Sequence, residues 1–249
     1  MRLNRFIGEY DLSLQQVEII DHDTVKQIRN VLKLKVGEKI ILGDGEEREA
    51  EVIIFSITSK SVIGIIEKIK HVEENKRKVN LYLAILKKEN FELAVQKAVE
   101  VGVSHIIPVI TERTIKTGIN MERLNKIIKE ASEQSDRSIV PTLSPIMKFQ
   151  DALIDGLKTP TPEVGVPTKK VGIIFHLTNT LYSPSTSSGS TTNKKAYNIS
   201  IFIGPEGGFT EKEINNAKDA SYDVASLGSS TLRGETAAIV ATYRAVNGI

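Results

Sequence analysis

The sequence predicts an α/β protein in two parts: a small β-barrel domain over residues 1–72 and a larger domain of alternating strands and helices over 73–249. Three observations carry this reading. The first seventy residues hold Ile- and Val-rich runs separated by turn signals. From Val79 onward, short apolar runs alternate with helical stripes. Between them, His71–Lys78 is polar and charged, as expected of a domain boundary.

In the first part, Lys39–Leu42, Ala50–Phe55 and Ser61–Ile69 read as strands, and Gly43-Asp44-Gly45 marks a hairpin turn between the first two. One helix interrupts them: Asp23–Leu34 spaces Val25, Ile28, Val31 and Leu32 along one helical face. In the second part, Val79–Leu86 is a strand. Phe91, Val95, Ala98 and Val99 form a helical stripe closed by Gly102, and His105–Ile110 is the next strand. Asn120 is placed to cap a helix running to about Asp136. Val171–Phe175 and Ile199–Ile203 are runs of the kind that parallel sheets bury on both faces. A strand at Tyr222–Ser226 and a last helix at Glu235–Val246 complete the alternation. Residues 156–170, rich in Pro and Gly, and 183–192, with eight Ser or Thr in ten, are expected to lack regular structure.

Composition narrows the function classes. The 249 residues include no cysteine, which excludes a disulfide scaffold, a Cys zinc site and a cysteine nucleophile, and fits a reducing, cytoplasmic setting. No run of 18 apolar residues exists, and Met1–Arg5 lacks the apolar stretch of a signal peptide, so no membrane partner is expected. His22, His71, His105 and His176 have no metal-ligand spacing, so no metal is expected. The net charge of +2 conceals a segmentation: residues 76–148 hold 13 basic and 8 acidic groups, while 1–70 and 149–249 are nearly neutral. The middle segment is thus the candidate surface for a polyanion. With aromatics at 5% and no Trp, charge and shape rather than base stacking would hold it.

Two motifs carry chemistry. Gly204-Pro205-Glu206-Gly207-Gly208-Phe209-Thr210 follows a strand directly, and Thr210 with Glu213 forms a capping box that starts a helix. Such a strand–loop–helix junction lies at the carboxyl edge of a sheet, where open α/β sheets bind ligands, and its glycines let backbone approach a ligand closely. It is neither a P-loop nor a dinucleotide fingerprint. The second, Leu227-Gly228-Ser229-Ser230-Thr231-Leu232-Arg233-Gly234-Glu235-Thr236-Ala237, also joins a strand to a helix. Arg233 stands at the positive end of that helix dipole, where a cation suggests an anionic partner.

These pieces, in this order, resemble the ribosomal RNA small subunit methyltransferase E family over essentially the whole chain. The residues are Arg2-x-x-Arg5, His22 through Leu32-Lys33, Lys87 with Gln96-Lys97-x-x-Glu100-x-Gly102-Val103, Thr111-Glu112-Arg113, Glu133-Gln134-Ser135-x-Arg137, and above all the two loops just described. Lys33 and Gly234 depart from the family pattern, and the helix from Met121 is shorter. The resemblance implies a PUA-like N-terminal barrel, a SPOUT domain with a trefoil knot, and a homodimer. It also implies transfer of a methyl group from S-adenosylmethionine to N3 of a uridine in 16S ribosomal RNA, free or in the small subunit. The cofactor residues would be Phe175, His176, Ile203, Gly204, Pro205, Glu206, Gly207, Leu227, Gly228 and Leu232. Arg233 would steady the uracil anion or a phosphate, and Glu206 and Glu235 are the nearby carboxylates for proton transfer, with Glu206 alternatively holding the loop. RNA contacts would fall on Arg2, Arg5, Arg29, Lys33, Lys87, Arg113 and Arg137. The rival expectations are a ribose 2′-O methyltransferase of the same superfamily and a non-catalytic RNA-binding assembly factor.

Overall fold

The computed structural model describes residues 3–73, 77–158, 169–176 and 197–248. Arg2 and the Ser/Thr-rich stretch 183–192 therefore lie outside the described residues, as do most of 156–170. Contacts divide the chain into two units, Met1–Glu74 with Ser132–Val140, and Asn75–Ala131 with Pro141–Ile249.

The first unit is built on a five-stranded sheet. β1 (Asn4–Ile7), β2 (Gln16–Ile19), β3 (Lys39–Gly43), β4 (Arg48–Ile57) and β5 (Val62–His71) lie in the order β1-β3-β4-β5-β2. All pairs are antiparallel except β1 with β3. Alternation does the folding: Ile40 and Leu42, Val52 and Ile54 point to one face and are fully buried with Phe6, Leu12 and Ile28. The β3–β4 turn forms at the Gly-Asp-Gly signal, where Asp44 Oδ1 accepts from the backbone N–H of Glu46, Glu47 and Arg48 and Gly45 takes a φ of 83°.

The helix expected over Asp23–Leu34 is corrected in one respect. α1 (His22–Lys26) starts on the Asp21 side-chain cap, but the chain then widens into a π-helical turn at Gln27–Val31, with Leu32 N–H donating to the Gln27 carbonyl. One extra residue per turn breaks the stripe: Val25 and Ile28 are buried, whereas Val31 is 68% exposed.

The second unit is a parallel sheet with helices. Its strands are β6 (Arg77–Ala84), β7 (His105–Ile110), β8 (Thr142–Leu143), β9 (Met147–Lys148), β10 (Lys169–Phe175), β11 (Tyr197–Ile203) and β12 (Asp223–Ala225). They run β12-β10-β11-β6-β7-β8, with β9 also on β7, and every pair is parallel. The helices are α2 (Lys88–Glu100), α3 (Met121–Gln134), α4 (Phe149–Gly156), α5 (Glu211–Asp219) and α6 (Gly234–Asn247). Asn120 caps α3, accepting from Arg123 N–H, and Gly102, at φ 107°, ends α2. Gly156, expected in irregular chain, is instead the buried last residue of α4. On one face of the sheet, Tyr82 stacks on Phe202 at 4.3 Å, with Phe149 and Tyr222 edge-on to Phe202.

Candidate active site

Strand register fixes the level of the site. Leu83, Ile203, Phe175 and Ala225 pair side by side across β6, β11, β10 and β12. The segments that follow these four residues therefore leave the sheet at one height along its carboxyl edge. They enclose a cleft of about 770 Å³, within the range of small-molecule sites.

The glycine loop forms one wall. Gly208 N–H donates to the Pro205 carbonyl, closing a tight turn with Gly208 at φ 68°. Phe209 anchors the loop by inserting into the aromatic core, 5.5 Å from Phe149. A Cβ at Gly204 would meet the Phe209 ring at 3.2 Å, so the fold-back of the loop leaves little room for a side chain there. The 226–233 segment forms the facing wall. Ser226 Oγ donates to the Gly228 carbonyl, and α6 begins at Gly234, where a Cβ would come within 2.8 Å of Leu86. The first turn of α6 therefore packs closely on the residues that follow β6.

Of the sequence-assigned residues, Phe175, His176, Ile203, Gly204, Pro205, Glu206, Gly207, Leu227 and Leu232 line the cleft, as do Arg233, Glu235, Lys87 and Arg113. Gly228 shapes the wall without lining it. The two carboxylates differ. Glu206 is exposed, and its Oε1 accepts from the Lys87 backbone N–H at 2.9 Å, tying the glycine loop to the start of α2. Glu235 is buried, and its Oε2 has no hydrogen-bond partner among the described residues. A buried acceptor left open in a cleft wall suits a ligand that brings N–H or O–H donors. Arg233 is exposed and its guanidinium has no hydrogen-bond partner among the described residues, which leaves it open to an anion. Sequence reasoning passed over Asn90, Phe209, Ser226, Ser230 and Thr231, which also line the cleft. The hydroxyls of Ser230 and Thr231 stood inside the second motif and were the signal available.

The cations assigned to RNA fall into two groups. Arg29 and Lys33 are exposed on the first unit, Lys33 in the left-handed region at φ 53°. Arg5 is not: its guanidinium, 10% exposed, pairs with Glu49 at 2.5 Å and donates to Ser138. Arg137 is half-buried, and burial pulls its guanidinium down to about 10. Arg113 donates to the Gly207 carbonyl at 2.7 Å. Among the described residues no cluster of three or more His, Asp or Glu could hold a metal, and no helix is long and apolar enough to cross a membrane.

Comparison with known proteins agrees with this architecture. Residues 73–245 match the model of an RNA methyltransferase domain, and residues 20–67 that of an RNA methyltransferase PUA domain. The ribosomal RNA small subunit methyltransferase E of Rickettsia conorii is 32% identical over 97% of this chain and 94% of its own length. That of Bacillus subtilis is 28% identical over 93% and 92%. A crystal structure of the Neisseria gonorrhoeae ribosomal RNA small subunit methyltransferase E, bound to S-adenosyl methionine, superposes with a TM-score of 0.82 at 27% identity, covering 97% of this chain and 95% of that one. On a domain match across most of the chain and an end-to-end relative at 32% identity, the chain belongs to the ribosomal RNA small subunit methyltransferase E family.

Proposed function

We propose that the chain methylates N3 of a uridine in 16S ribosomal RNA, using S-adenosylmethionine. The observation that carries this is the glycine-walled cleft, in which the residues assigned to the cofactor, a free guanidinium and an open buried carboxylate oxygen meet. A relative that superposes on nearly the whole chain is bound to the same cofactor. The residues present fit that group: the cleft volume suffices, and Gly204 and Gly207 in its wall admit close approach of a ligand to backbone. Phe175, His176, Ile203, Gly204, Pro205, Glu206, Gly207, Leu227, Gly228 and Leu232 would hold it.

When bound, the cofactor supplies an already activated methyl group. The chain's own residues then align the reactants, manage a proton and stabilise a charge. The uracil imide must lose its N3 proton to become a nucleophile. Of the two carboxylates, Glu206 is engaged by Lys87 N–H, so Glu235, with a free oxygen, is the better placed acceptor for that proton. Arg233 stabilises the resulting anion or an adjacent phosphate.

In this reading residues 1–72 are the PUA-like RNA-binding domain and 73–249 the SPOUT methyltransferase domain, with the trefoil knot of its superfamily. Arg29, Lys33 and Lys87, all exposed, serve the RNA backbone. In the same reading the protein acts in the cytoplasm as a homodimer. Replacing Arg233 with Ala should lower turnover by about 10²–10³-fold, with calorimetric S-adenosylmethionine affinity and melting temperature near wild type. Wild-type turnover in that variant would overturn the assignment.

A further inference from the structure

We propose that Arg113 and Glu213 are positioning residues, which hold the glycine loop in shape from the turn that follows β7. Arg113 then acts on the wall of the cofactor cleft and not on an RNA phosphate. The proposal rests on the reading of the cleft as the S-adenosylmethionine site.

A loop containing Gly204, Gly207 and Gly208 has much backbone freedom to lose, and its own residues supply few restraints. Phe209 fixes one end in the core. The remaining restraints come from elsewhere in the chain. Glu213, 5% exposed, uses both carboxylate oxygens on backbone donors of two separate segments: Oε1 accepts from Glu112 N–H and Oε2 from Thr210 N–H, each at 2.9 Å. The capping box of α5 needs only the second of these. The first joins the β7 turn to the base of the glycine loop.

Arg113 joins the same turn to the loop's tip through its bond to the Gly207 carbonyl. Gly207 accommodates the arm of that arginine, since a Cβ there would stand 3.3 Å from Arg113 Cδ. The turn is itself a firm support. Thr111 N–H donates to Thr114 Oγ1 at 3.0 Å, and Thr114 N–H returns to the Thr111 carbonyl at 3.1 Å. With Glu206 bound to Lys87 N–H on the other flank, the loop is held from the ends of both β6 and β7. Holding a binding loop in its bound shape raises affinity by removing the ordering cost from the binding step.

The test uses the full chain with Arg113→Ala, Arg113→Lys and Glu213→Gln. Each of Arg113→Ala and Glu213→Gln should raise the calorimetric S-adenosylmethionine Kd by about ten- to a hundredfold, the scale of a hydrogen bond with a charged partner. The KM for the cofactor should rise with it, while kcat at saturation stays near wild type. Arg113→Lys, keeping one donor, should recover part of the loss. Amide exchange at Glu112 and Thr210 should quicken in Glu213→Gln. The slope of log RNA affinity against log salt should be the same in Arg113→Ala as in wild type. A slope smaller by about one, or an unchanged cofactor Kd in both Arg113→Ala and Glu213→Gln, would overturn the proposal. Should Glu213→Gln fail to fold, Arg113→Ala alone decides, because Arg113 is exposed. A wild-type protein that binds no S-adenosylmethionine would instead refute the function proposed for the cleft.

Discussion

At Glu49, burial by itself would favour the protonated carboxyl. Hydrogen bonds from Ser138 and Arg5, with the charges of Arg5 and Lys70, outweigh it and hold the group below its ordinary value of 4.5. A carboxylate held low when folded stabilises the fold above its unfolded pKa, and that contribution disappears as pH falls through the folded one. The first unit should therefore lose stability on acidification below about 4.5, and Glu49→Gln should flatten that dependence while lowering stability at neutral pH. Chemical denaturation of the two proteins across that range checks this, and parallel pH profiles would contradict it. Arg5 was legible in the sequence as a motif residue, but its use was not. Its partners Glu49 and Ser138 lie 44 and 133 positions away, and sequence spacing says nothing about contacts that only a folded sheet creates. The same holds for Arg113, whose charge reads as a polyanion contact until the Gly207 carbonyl is placed beside it.

At the scale of elements, glycines in the second unit mark where Tyr222 lies. Its ring crosses β10 at Gly172, where a Cβ would fall 2.6 Å from ring carbons, and its hydroxyl donates to the Leu153 carbonyl near the end of α4. The ring is 4% exposed and fixed at its tip, so it cannot slide aside. Gly172→Ala should cost about 1–3 kcal/mol, the usual penalty of overpacking a core, visible as a lowered midpoint in urea; an unchanged midpoint would show that the ring yields. The strand itself was legible, because Val171–Phe175 is an apolar run of suitable length. The demand for glycine within it was not, because it arises from packing between distant elements. The widened turn at Gln27–Val31 escaped for a related reason: its residues carry helical spacing, and nothing in that spacing signals a π turn.

At the scale of the molecule, local patterns sufficed for the alternation of strands and helices and for the two loops at the carboxyl edge. The first carries its own tight turn and the Thr210 capping box, and the second a turn in which Ser226 Oγ donates to the Gly228 carbonyl. The order of strands in the sheet was not legible. β11 lies between β10 and β6, a placement set by long-range pairing that leaves no periodic trace. That same placement brings the glycine loop and the Arg233 loop to face each other, so the central claim concerns what the pair of loops does to a nucleotide. The most direct measurement incubates the purified protein with S-adenosylmethionine and small ribosomal subunits from cells lacking it, then digests the 16S RNA and analyses its nucleosides by mass. The account predicts one uridine newly methylated on N3 of the base. Methylation on a ribose 2′ oxygen, or no methylation of the RNA, would contradict it.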